Sequence, residues 1–157
     1  MTTTAHAPGR RCRLQRGAYA VEFAAVFLVL FALVYACICV ALLFAFRAGL
    51  QNAAEDGARA ALRYQVDMPS RLASAAAVAL QRTRGWLPVT PTVATQMCLV
   101  ATGQCIDPAC GTEWVQRCQV VVTVTAGGMR RVLPVLDFAL PDTLVGRATV
   151  LMDGRSL

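Results

Sequence analysis

The chain has 157 residues, a net charge of +6, 57% hydrophobic and 15% charged residues, which excludes an acidic disordered tail, a collagen-like repeat and a large multidomain enzyme. All fifteen basic residues are arginine, a usage that reads as the coding bias of a GC-rich genome. Arg10, Arg11, Arg13 and Arg16 stand in the first sixteen residues with no acid among them, and the other 141 residues carry eleven arginines against nine acids, so a basic face for nucleic acid has little support.

Residues 24–46 form a run of 23 without a charged residue, Gly, Pro, Asn or Gln, longer than the roughly 20 that cross a bilayer as a helix. Fourteen of them are Val, Ile, Leu or Phe. At about −0.3 to −0.6 kcal/mol each near the bilayer centre they favour insertion by at most about 4–8 kcal/mol. The run exceeds the apolar core of an ordinary cleaved signal peptide. Four arginines precede it and only Arg47 follows immediately, so the positive-inside bias predicts a cytosolic N-terminal arm and an outward-facing remainder. The expected topology is a membrane crossed once, with the N-terminus cytoplasmic and the C-terminal part outside.

Glu22 stands at the mouth of this run, where a charge nearer the centre would cost several kcal/mol. One reading is interfacial: the carboxylate reaches the headgroups and favours the positive end of the helix macrodipole. The other uses its neighbours. Cutting the chain after Gly17 would give Ala18 a new α-amine four residues from Glu22, on the same helical face, where the carboxylate can neutralise it or the amine of an adjacent subunit.

A short basic leader, a glycine, four residues, then Glu and an aromatic at the head of an apolar helix resembles the prepilin-peptidase site of Flp-type (type IVc) pilins and pseudopilins. In that resemblance Gly17 precedes the cut, Ala18 is the new N-terminus, and Glu22 with Phe23 serves subunit assembly. Phe23 stands where the major pilin usually has Tyr, which suits the TadE-like and TadF-like pseudopilins. The stretch Gln51, Asn52, Ala53, Ala54, Glu55, Asp56, Gly57, Ala58, Arg59 is also similar to TadE-like proteins. A Flp major pilin would nearly end where this chain continues for about another hundred residues, so the length favours a minor subunit. The resemblance implies a precursor that meets a prepilin peptidase, other Tad pilins and pseudopilins (TadF-like proteins, the Flp major pilin), an inner-membrane Tad assembly platform and membrane lipid. No nucleic acid, cofactor or metal is expected. The rival reading is an uncleaved, single-pass envelope protein that binds or scaffolds a partner.

Beyond the membrane run, Arg47, Gln51, Glu55, Arg59 and Arg63 form a polar stripe, and Leu50, Ala54, Gly57, Ala61 and Tyr64 a small-apolar one, so the helix continues to about residue 64. Glu55 is placed to pair with Arg59. The small stripe packs either on a partner helix or within the chain. Met68, Pro69 and Ser70 interrupt the pattern, and residues 71–83 predict a short alanine-rich helix closed near Gly85. Strands are predicted at about 92–101, 114–126 and 144–152, with a turn at Gly127 and Gly128 and a Pro-bearing connection over 129–142. The expected fold class is α+β: a long N-terminal transmembrane helix extending into a pilin-like outer domain with a second short helix and a small antiparallel sheet. Three regions follow, a leader (1–17), the helix and its extension (18–64) and a disulfide-bonded outer domain (65–157).

Cys12 lies in the arm, and Cys37 and Cys39 lie in the apolar run, where a thiol acts as a small apolar residue. Cys98, Cys105, Cys110 and Cys118 fall on the oxidising side and predict two disulfides, with Cys98–Cys118 and Cys105–Cys110 the preferred pairing of three. Their spacing lacks the tight C-x2-C pairs of a structural zinc site. The single histidine, His6, is in the arm, so a histidine-based catalytic or metal site is not expected outside. Asp107, Glu113, Asp137, Asp142 and Asp153 read as solvated loop carboxylates, and Trp86 and Trp114 as packing or interfacial anchors before a binding surface.

Overall fold

The structure is a computed structural model that describes residues 15–63, 65–106, 108–132 and 141–152; the arm with His6 and Cys12, together with Tyr64, Asp107, Asp137 and Asp153, lies outside the described residues. In chain order the elements are helix α1 (Gln15–Ala60), helix α2 (Met68–Thr83), strand β1 (Thr92–Leu99), a 3₁₀ turn (Trp114–Gln116), strand β2 (Cys118–Gly127), a second 3₁₀ turn (Met129–Val132) and strand β3 (Thr143–Leu151). The fold is α+β, with one long apolar helix, a second helix and a three-stranded antiparallel sheet. The chain divides into two compact units, Met1–Val40 and Ala41–Leu157.

In the first unit α1 is apolar on all sides and long enough to cross a membrane, and its large side chains are exposed. Phe23, Phe27 and Phe31 stack in succession at four-residue spacing, with ring centroids 6.1 and 6.2 Å apart. A helix with no polar face has no side to turn to water, which is the pattern of a membrane span.

In the second unit β2 is the central strand, paired on one side with β1 and on the other with β3. The strand period of two puts Val120, Val122, Val124 and Ala126 on one face, all fully buried, and Gln119, Thr123 and Thr125 on the other. On β3 the same alternation turns Leu144, Gly146 and Ala148 inward. Leu50, Ala54 and Ala58 of α1 and Ala61 just past its end, with Ala75 and Ala79 of α2, complete the core against this face. The small-residue stripe of α1 therefore packs within the chain. Its smallness is needed: a Cβ on Gly57 would lie 2.9 Å from the Ala75 carbonyl oxygen and 2.9 Å from the Ala79 Cβ. A Cβ on Gly146 would meet the Leu50 backbone at 2.4 Å, so at this point strand and helix approach backbone to backbone.

Helix α2 starts three residues earlier than its alanine pattern predicts. Asp67 is its N-cap and accepts a hydrogen bond from the Ser70 N–H at 2.8 Å. Pro69 then sits in the first turn, where a missing N–H leaves no helical bond unmade. The Pro and Ser that read as an interruption are thus the start. At the other end Gly85 follows the C-cap with φ 87°, a conformation that suits glycine. The strand predicted from 114 begins at Cys118; Trp114–Gln116 is a 3₁₀ turn inside the loop that precedes it. Most of the predicted 129–142 connection falls outside the described residues.

The contacts of α1 fix the order of parts along the second unit. Leu50 lies at Gly146, Gly57 at Val122, and the Ala61 carbonyl accepts from Arg71, whose guanidinium also reaches the Met152 sulfur at 4.0 Å. Since Met152 donates its N–H to the Cys118 carbonyl, the helix runs from the Gly127 end of the sheet toward the Cys118 end. Phe46, Gly49, Trp86 and the Gly127–Gly128 turn mark one end; the cysteine loop marks the other.

Candidate functional site: the helical stem and the cysteine loop

Gly17 and Ala18 lie in the first turns of α1, and Gly17 is exposed, with nothing within 4 Å of where its Cβ would be. The first turn of a helix has N–H groups without intrahelical partners and opens most easily. Glu22 and Phe23 follow in the same helix, both exposed, and Glu22 has no hydrogen bond or ion pair among the described residues. Positions 18 and 22 are one helical step of four apart, so they share a face.

Further along the stem the polar stripe does something the sequence pattern does not show. The Gln51 side chain donates from Nε2 to the Arg147 carbonyl at 3.0 Å and accepts from the Arg147 N–H at 3.1 Å. It pairs with an outward-facing backbone unit of edge strand β3, as a neighbouring strand would. Glu55 accepts from the same amide at 3.3 Å, in place of the predicted pairing with Arg59. Asp56 forms an ion pair with Arg82 of α2 at 2.9 Å. Arg71, fully buried apart from 4% of its surface, donates to the Ala61 carbonyl and so caps the C-terminal end of α1 from α2. Sequence reading missed both roles, although a lone arginine among alanines on the buried face of α2 was a usable sign.

The cysteines join in the structure as Cys98–Cys105 and Cys110–Cys118. This corrects the preferred pairing, and the register gives the reason. Leu99 is opposite Cys118 and Cys98 is opposite Gln119, so the two strand cysteines are one step out of phase and face opposite sides of the sheet. Each can reach only a loop cysteine on its own side. Two consecutive short loops result, holding a segment whose apolar side chains Ile106, Trp114 and Val115 are exposed. Arg117 lies over the Trp114 ring, 4.7 Å from its centroid. Cys37 and Cys39 in α1 carry free thiols.

These features define an apolar stem helix, long enough to span a membrane, that continues into a small disulfide-bonded α+β head. Residues 17–59 match the family model described as TadE-like protein, so the stem is similar to that of TadE-like proteins. The match starts at Gly17 and ends with the helical stretch that builds the head's core. No curated protein and no solved structure matches the chain.

Proposed function

We propose that the protein is a TadE-like minor pilin or pseudopilin that takes part in assembling or priming a Tad (Flp-type) pilus used for adherence. The observation that carries this reading is the coincidence of the family match with the processing pattern: the matched stretch opens at Gly17, five residues before Glu22, the carboxylate at the mouth of the apolar run. The precursor sits in the inner membrane with its basic leader in the cytoplasm and its head outside. Prepilin peptidase opens the first turn of α1 and cuts between Gly17 and Ala18. Glu22 then neutralises the Ala18 ammonium, its own or that of a packed neighbour, which removes the cost of carrying two unpaired charges into an apolar bundle. The stem supplies the packing surface toward TadF-like subunits, the Flp major pilin and the assembly platform, and the head faces outward. The role is structural, in keeping with a family that is not enzymatic in general.

Processing and pairing separate in two variants. Gly17→Ala is expected to leave the precursor uncut, whereas Glu22→Ala is expected to be cut normally and to lose surface fibres. Normal fibres from the Glu22 variant would remove the pairing role, and an uncut wild-type chain would favour an anchored envelope protein that binds or scaffolds a partner.

A further inference from the structure

The head does not begin where the apolar run ends. Leu43 and Phe46 belong to that run, yet both pack against the core of the second unit. The Trp86 indole lies across Gly49, so close that a Cβ there would overlap the ring, and it stacks on Phe46 with centroids 6.2 Å apart and planes 16° apart. Its N–H donates to the Arg82 carbonyl at 2.7 Å, and the residue is 38% exposed. A run of 23 residues is about 34 Å long as a helix, a few ångströms more than the roughly 30 Å hydrocarbon core, so Phe46 falls at the boundary between acyl chains and headgroups. Trp86, fixed beside it, is at the depth that indoles favour.

Charge points the same way. Arg47 follows the run directly, Arg84 adjoins Trp86, and neither has a carboxylate partner among the described residues. Arg130 is exposed just past the Gly127–Gly128 turn, and Asp142, whose backbone carbonyl accepts from the Met129 N–H, is the acidic residue at the same end. We propose that this end of the head, Trp86 flanked by Arg47 and Arg84, docks on the anionic phospholipid headgroups of the membrane that α1 enters. The docking fixes the head against the bilayer before any assembly step. It rests on the membrane-spanning reading of α1 and is independent of the pilus role.

The protein has two tryptophans, and Trp114 belongs to the loop at the opposite end of the sheet, which makes it an internal control. The full chain is reconstituted into vesicles containing lipids brominated in the upper acyl chain, as Trp114→Phe and as Trp86→Phe. The expected result is quenched Trp86 emission and unquenched Trp114 emission, with stronger Trp86 quenching in phosphatidylglycerol than in phosphatidylcholine. Arg47→Gln combined with Arg84→Gln is expected to abolish that lipid preference, because each arginine near an anionic surface favours contact about five-fold. Trp86 quenched no more than Trp114, in a chain that resists carbonate extraction, overturns the docking and leaves the span intact. A chain that carbonate extracts overturns both.

Discussion

Gln51 is the residue whose role depends most on the third dimension. Its amide satisfies both backbone groups of Arg147 on an edge strand, so it ties the stem to the sheet and occupies a site where another strand would otherwise pair. Gln51→Ala is expected to lower stability by about 1–2 kcal/mol, the net value of two such hydrogen bonds. Hydrogen exchange should quicken selectively at the Arg147 amide; unchanged exchange there would show that the clamp is not formed. Gly146→Ala is the complementary test, because its methyl would meet the Leu50 backbone. It is expected to cost toward the upper end of the roughly 1–3 kcal/mol seen for overpacking, read as a drop in melting temperature in detergent. The periodicity of α1 placed Gln51 on a polar stripe and Gly57 on a small one, but which sheet atoms each meets depends on strand register, which period alone does not contain.

Among the elements, α2 and the cysteine loop show where local patterning stops informing. The alanines of α2 gave its existence, while its start was set by Asp67, a cap lying before a proline that read as a break. The Ser70 side chain and N–H both hydrogen-bond the Asp67 carboxylate and hold its pKa below the usual value. A depressed carboxylate pKa gives stability that is present above the unfolded-state value and lost as pH falls through the folded one. Helix α2 should therefore fray below about pH 4, and Asp67→Asn, whose amide oxygen still caps, should flatten that dependence in far-UV circular dichroism. The four outer cysteines were visible as a set. Their partners were not, because a single register step decides which face each strand cysteine occupies. Proteolytic mapping of the unreduced protein should yield Cys98–Cys105 and Cys110–Cys118 peptides; a Cys98–Cys118 peptide would contradict the register. Removing either bridge should cost about 2.5 kcal/mol from loop entropy.

At the scale of the whole molecule, the sequence made the apolar stem and the α+β head legible because both rest on strong, repeated patterns: an uninterrupted apolar run and alternating Val and Thr. The join between them was not legible. Leu43 and Phe46 look like membrane residues and pack like head residues, and only the placement of Trp86 beside Gly49 reveals it. The helix thus serves two parts of the molecule, an apolar stretch long enough to cross a membrane at one end and the head's core at the other. The most direct test is the intact mass of the native protein purified from cells that make an active prepilin peptidase. The account predicts a chain beginning at Ala18, with the seventeen-residue leader gone. A chain that retains Met1 and the leader arginines would contradict it.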